Sequence, residues 1–511
     1  METLHSDCDK SFIGNKDYFY HPTGPNALAA CIPCKKVAEL DQKMSQMRQS
    51  IIDMEKERQQ WKTQINAKHD KFMRNFPVEI IAAILELSLP DDVAHLRLES
   101  VNSKYTLSAP LVLSAVSQRW RTIAHSTPQI WTTVPIRIGK HNCHLLPLLA
   151  TEWIERSSPL PLSVNISAED DSKETQEVIK TVTRYCSRWT WLKYEGEATN
   201  FSHFSTDEEG TLQLNTVNLR TPGAEVPAAM FELGKMIVRA NRLVLVSVFC
   251  IDMVNVAWNH LTELFIIELA PPECLEALRR APRLVKCTFG SKKHITSTRY
   301  QLPNFHHPIV HRAIVNLTLF GNHCLPIFTH LRCPSLKILE VQSYRGNAPA
   351  VAQMVRFILN SKCLLLHLYL GRTLIHQNEI DWLGHLHSLR LLAINFMTPH
   401  LDDTLFALLA QTSTVDGVVK PLYLPKLQEL EIQQGNMFNW TLLPLIFCTT
   451  ESPERHRTRL ERLAFSVPSN GELVDIPEVT MSEATKQQLL SLKAQEVKMT
   501  IAVGKVIKDL V

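Results

Sequence analysis

Apolar residues recur at steps of three and four in the first third of this chain, and in short alternating runs through much of the rest. From Val37 to Phe72, the residues Leu40, Met44, Met47, Ile51, Met54, Trp61, Ile65 and Phe72 follow alternating steps of three and four. Arg58 and Lys68 interrupt the stripe, charged residues fill the other faces, and no Gly or Pro intervenes. This spacing predicts a long amphipathic helix over 37–72, with coiled-coil periodicity over about four heptads. Two readings stay open for it: a dimerisation or partner helix, or a helix that packs back on a later part of the chain.

A second helical pattern runs from Phe76 to Val134. Pro77 suits a first helical turn, where a missing N–H costs nothing. Glu79 follows at the positive end of the helix dipole. Ile80, Ile81, Ile84, Leu85 and Leu87 then recur at helical spacing, and Pro90 ends the run. Residues 91–109 are polar, lack periodicity and are expected to loop out. Pro110 restarts a helix carrying Val112, Val116, Trp120 and Ile123, which Ser126-Thr127-Pro128 breaks before Ile130-Trp131. Two short helices cannot bury that much aliphatic and aromatic surface alone. The rest of the chain, a partner, or both must cover it.

Beyond Val134 the pattern changes period. A helical stretch, Leu145 to Ser157, leads into the alternating S-P-L-P-L-S-V-N-I. From about Trp189 to Phe465, strand-like phrases recur every 20 to 40 residues or so: from Leu212, Arg242, Leu261, Leu284, Val315, Leu336, Leu365, Leu389, Leu427 and Leu460. Helix-like stretches such as P-P-E-C-L-E-A-L-R-R-A lie between them. Several strands follow a Pro-x-Leu lead-in: A-P-R-L-V, C-P-S-L-K and L-P-K-L-Q. Units that each bury alternating Leu, Val and Ile against a helix and both neighbours make a solenoid. The uneven spacing predicts a distorted, leucine-rich-repeat-like one with a C-terminal cap. An ordinary α/β domain with parallel strands is the competing reading.

The residues Phe76, Pro77, Glu79, Ile80, Ile84, Leu111, Val116, Arg119, Trp120, Ile123, Ala124, Pro128 and Trp131 occur in the order of an F-box. The stretch resembles the variant in fungal F-box proteins that carries an insert between its first and second helices. Phe76 stands where a Leu is usual, and Ser117 replaces the usual Cys of the core phrase. W-I-E-R-S-S-P-L-P-L and the later Arg188-Trp189 also resemble family phrases. The resemblance implies docking on the Skp-type adaptor of cullin-RING ubiquitin ligases. It assigns the adaptor contact to Phe76, Pro77, Glu79, Ile80, Ile84, Leu87, Leu111, Val116, Trp120, Ile123 and Trp131.

Composition narrows the alternatives. Hydrophobic residues make up 45% of 511, enough for more than one core, and a net charge of +3 gives no general case for nucleic acid or an acidic membrane surface. No signal peptide or membrane-spanning run is visible, and the 12 cysteines, scattered in apolar strings, suit a reducing cytoplasm or nucleus. Cys31 and Cys34 form a single C-x-x-C pair; without a second pair no metal is assigned. Neither His306-His307, His311 and His323 nor His385 and His387 define a site. No nucleophile elbow, phosphate loop, dinucleotide loop or zinc-protease motif is present.

The expected organisation is therefore a disordered segment over 1–36, the helix over 37–72, and a helical F-box over 73–135. A bridge over 136–188 and the solenoid over 189–511 complete the mixed α and α/β fold. The expected function is non-enzymatic and cofactor-free: a substrate-recognition subunit whose repeats bind a protein target. A repeat scaffold outside any ligase is the alternative, and a hydrolase hidden in the repeats is a weaker third.

Overall fold

The computed structural model describes residues 32–69, 75–89, 109–139, 144–204, 211–221, 237–247, 251, 256–290, 307–342, 348–373, 380–396, 401–415, 418–433, 440–447, 460–467, 482–503 and 506–509. The chain divides into two compact units, residues 1–130 and 131–511. Most of the insert over 91–109 lies outside the described residues, as does Cys31.

The first unit is helical. Helix α1 runs from Ile32 to His69, so it begins inside the segment expected to be disordered to residue 36. Helix α2 is Val78–Leu87, with Pro77 at its N-cap rather than inside the first turn. The pattern from Pro110 to Ile123 is not one helix but two, α3 (Ala109–Val116) and α4 (Gln118–His125). Ser117 separates them in an extended conformation, φ −156° and ψ 169°, and its hydroxyl accepts the Trp120 N–H. A serine at a helix N-cap satisfies a donor that the helix itself leaves open. The break turns Val116 and Ile123 onto different faces. Helix α4 packs against both α2 and α3, and Arg121 Nε donates to Ser114 O at 3.0 Å.

The second unit is built on a large, mostly parallel sheet. Its early elements are β1 (Thr133–Ile138), α5 (Leu146–Arg156), β2 (Leu162–Ala168), α6 (Lys173–Thr183), β3 (Trp189–Glu195), β4 (Thr211–Arg220) and β5 (Ile237–Val246). Next come β6 (Glu263–Ile267), α7 (Pro271–Arg280), β7 (Lys286–Gly290), β8 (Ile309–Val310), β9 (Asn316–Phe320), β10 (Leu331–Arg332) and β11 (Ile338–Gln342). Then follow α8 (Ala348–Ser361), β12 (His367–Thr373), β13 (Leu391–Phe396), α9 (Leu401–Leu409), β14 (Thr412–Val415), β15 (Val418–Pro421) and β16 (Glu429–Gln433). The last are β17 (Arg462–Val467), α10 (Glu483–Ala494), β18 (Lys498–Val503) and β19 (Val506–Asp509). Two short pairs, β8 with β10 and β14 with β15, stand apart from the 15-stranded sheet.

Strand order in that sheet follows chain order throughout, and neighbours are parallel except β18 and β19. Right-handed crossovers that all step the same way place their connections on one face. Side-chain alternation matches this. Val134, Val164, Leu192, Val217, Leu243, Leu264, Cys287, Leu317, Leu339, Leu368, Leu392, Leu430, Leu463 and Met499 stand in register, none more than 4% exposed. Within residues 136–188, expected to be a bridge, β2 joins this sheet between β1 and β3, with α5 before it and α6 after it in the chain.

The junctions between strands repeat a backbone motif. Thr262 O accepts the N–H groups of Val285 (2.8 Å) and Lys286 (3.0 Å). Val285 O does the same for Val315 and Asn316, Val315 O for Lys337 and Ile338, Lys337 O for Leu366 and His367, and Leu366 O for Arg390 and Leu391. Arg390 O and Gln428 O continue the series. The Pro-x-Leu lead-ins form the turns before these junctions: Leu284 N–H bonds Ala281 O, Leu336 N–H bonds Cys333 O, and Leu427 N–H bonds Leu424 O. Pro pre-sets the first turn residue, and the leucines that close the turns are buried.

Candidate functional site

The first unit keeps only part of its apolar surface inside. Ile81, Leu85, Ile123 and Ala124 are buried. Val78, Ile80, Ile84 and Leu87 of α2 remain exposed, Ile80 at 47% and Leu87 at 84%. So do Phe76 before α2 and Leu111, Val112 and Val116 on α3. Scattered single exposed apolar side chains are ordinary on a protein surface, whereas these eight lie on α2, on α3 and at Phe76 before α2. The helical period produces the division in α2: Ile81 and Leu85, four residues apart, take the covered side, while Ile80, Ile84 and Leu87 take the open one.

Among the residues assigned to the adaptor contact, Phe76, Pro77, Glu79, Ile80, Ile84, Leu87, Leu111 and Val116 are exposed, and Trp120 is half-buried. Ile123 and Trp131 stand apart from the others. They are 4% and 0% exposed, so in the free chain neither offers a contact. Trp131 belongs instead to a packed cluster at the start of the second unit. It meets Trp153 edge to face at a centroid distance of 4.7 Å, with the Arg156 guanidinium 4.9 Å from its ring centroid. Trp153 Nε1 donates to the carbonyls of Trp131 and Thr133, both at 3.0 Å. Val78 and Val112 share the exposed surface but were absent from the assignment; periodicity alone gave no sign of which valines stay uncovered.

The W-I-E-R-S phrase and the later Arg188 also serve structure. Arg188 Nη2 donates to Ser157 Oγ at 2.6 Å and to Leu160 O at 2.8 Å, its Nε donates to Leu160 O at 3.0 Å, and Nη1 to Ile154 O at 3.4 Å. A cation there meets the carbonyl end of α5.

The sheet face opposite the apolar rows carries charge across neighbouring strands. Arg242 pairs with Glu263 at 3.5 Å, and Arg462 with Glu429 at 3.0 Å and Glu431 at 3.1 Å. Tyr369 shares a register row with Glu340 on one side and, across Ala393, Glu431 on the other. Burial, then the carboxylates Glu431, Glu340 and Glu429, raise its phenol pKa.

Among the described residues no group of three or more His, Cys, Asp or Glu could hold a metal ion. His307, His385 and His387 are exposed, while His306 lies outside the described residues. His311 is buried, its Nε2 2.9 Å from Ala281 O. Cys274, Cys287, Cys324 and Cys333 are buried free thiols, and burial pushes all four up, Cys324 and Cys333 to about 12. Thiols held protonated are poor nucleophiles and poor metal ligands. No helix among the described residues is long and apolar enough to cross a membrane.

No protein-family model matches the sequence, and no curated protein matches it.

Proposed function

We propose that this protein is the substrate-recognition subunit of a Skp–cullin–F-box ubiquitin ligase. The exposed apolar face of α2 and α3 docks on the Skp-type adaptor, and the second unit binds the protein to be ubiquitinated. The observation that carries this reading is the uncovered set Phe76, Ile80, Ile84, Leu87, Leu111 and Val116 in a unit that already has a buried core. A hairpin serving only its own core would have turned these side chains inward. Polar and charged residues at the same positions would have argued for plain solvent exposure.

The second unit is proposed to be a leucine-rich-repeat-like solenoid. Support comes from strands that follow chain order and from the junction bonds that recur from Thr262 to Gln428. Its charged open face, around Tyr369, Glu340 and Glu431, is the proposed target surface. Catalysis in this scheme belongs to other subunits. This chain holds a target near the ubiquitin-carrying enzyme and so raises its effective concentration. The proposed compartment is cytoplasm or nucleus.

Co-purification tests the proposal. Wild-type chain is expected to recover the adaptor stoichiometrically, and Pro77→Ala combined with Ile80→Asp to lose it while circular dichroism stays unchanged. A wild-type chain that recovers no adaptor leaves the repeat scaffold as the better reading.

A further inference from the structure

Helix α1 spans 38 residues, about 57 Å at 1.5 Å per residue. Along it Val37, Leu40, Met44, Met47, Ile51, Met54, Trp61 and Ile65 form a single stripe, and each is between 47% and 59% exposed. The stripe assigns heptad positions: 37, 44, 51, 58 and 65 are a, while 40, 47, 54, 61 and 68 are d. The flanking e positions then hold Asp41, Arg48, Glu55 and Lys62, and the g positions Lys36, Lys43, Ser50, Glu57 and Gln64. Charges at e and g set the orientation of a coiled coil.

The e series reads minus, plus, minus, plus, which is complementary to its own reversal. In an antiparallel pair e faces e and g faces g. With Ile51 of one copy against Met54 of the other, Asp41 meets Lys62 and Arg48 meets Glu55, each pair occurring twice by symmetry. The g positions then bring Lys43 to Gln64 and Ser50 to Glu57, with no like charges opposed. The other layers become Val37 with Lys68, Leu40 with Ile65, Met44 with Trp61, and Met47 with Arg58.

A parallel, in-register pair is worse on two counts. Each g residue would face the e residue five further on, so Lys43 would oppose Arg48 twice, against the favourable pairs Lys36 with Asp41 and Glu57 with Lys62 that this register also makes. Arg58 would also face its own copy inside the seam. In the antiparallel register the two Arg58 side chains lie 11 residues apart along the axis, about 16 Å, and each has Met47 for its aliphatic stem to cover.

We propose that α1 forms an antiparallel two-stranded coiled coil with α1 of a second copy of this chain, in the register that sets Ile51 against Met54. The protein is then a homodimer whose two chains run in opposite directions along this helix.

Zero-length carbodiimide cross-linking of the full chain, read by mass spectrometry on the dimer fraction, tests this. Asp41 and Lys62 lie 21 residues apart on one helix, about 32 Å, so an Asp41–Lys62 cross-link must join two copies. That link is expected, together with a dimer in sedimentation at micromolar concentration. A monomer under those conditions, or a dimer without that link, overturns the proposal. Charge reversal gives an independent reading at exposed positions. Glu55→Arg opposes like charges twice per dimer and is expected to weaken dimerisation about tenfold. Adding Arg48→Glu to the same chain is expected to restore it. Unchanged affinity for Glu55→Arg, which a parallel pair would give because Ser50 faces that position, also overturns the register.

Discussion

Arg188 ties three segments of the second unit together through one guanidinium. Its bonds to Ile154 O, Ser157 Oγ and Leu160 O close the C-terminal end of α5 and the turn into β2. Removing it takes the charged donor from Leu160 O and Ser157 Oγ, while Ile154 O keeps the Ser157 N–H and hydroxyl; losing these charge-assisted bonds costs about 2–3 kcal/mol. Arg188→Ala is therefore expected to lower the denaturant midpoint of the second unit. Arg188→Lys should recover only part of the loss, because an ammonium lacks the planar fork. His311 makes stability depend on pH. Its Nε2 must carry the proton, since the Ala281 carbonyl only accepts. Burial pushes its pKa below the ordinary value, against a smaller opposing effect of that bond. The unfolded chain then binds the proton more readily than the folded one. The stabilisation is complete above the unfolded pKa and is lost as pH falls through that value toward the folded one. Urea titrations from pH 7.5 down to pH 5 are expected to show a steeper loss for wild type than for His311→Gln. His203, lowered by burial and by Lys180, keeps some of the slope in both.

At the scale of elements, the in-register apolar rows hold the second unit together. Leu317 sits in such a row between Cys287 and Leu339 and is fully buried. Leu317→Ala is expected to cost about 2–5 kcal/mol through lost transfer energy and a cavity, measured by chemical unfolding. Ile80→Asp, on an open face, is expected to leave that midpoint unchanged. Much of this order is readable in the chain, because a strand with one buried face must alternate. From β6 onward the repeat strands start one or two residues after their phrases, because Leu261, Leu284, Leu336, Leu389 and Leu427 close tight turns and are buried there, whereas β4 and β5 begin ahead of theirs, at Thr211 and Ile237. Position 117 was misread for a related reason. A stripe of steps three and four cannot register a single extended residue, whereas a serine that caps the next helix interrupts it. The division between Ile80 and Ile81, or Val116 and Ile123, was hidden more deeply. Periodicity tells which residues share a face, and only tertiary packing decides which face is covered. Residues 136–188 looked like a bridge because β2 is separated from β1 by a helix, and pairing between them is non-local.

For the molecule as a whole, exposed apolar surface is concentrated on elements of the first unit, and the second unit has a closed interior with a charged open face. The proposed binding role rests on that distribution. The four buried thiols of the second unit are expected to stay unlabelled by a thiol reagent until the sheet unfolds, read by mass spectrometry of the labelled peptides. The central claim is that the open face of α2 and α3 exists to be covered by the adaptor. The most direct measurement is the stoichiometry of purified Skp-type adaptor on the full-length chain, beside a chain carrying Ile80→Asp and Ile84→Asp at two exposed positions. One adaptor per wild-type chain, and none on the equally folded variant, is the expected result. Equal binding to both chains, or to neither, would contradict it.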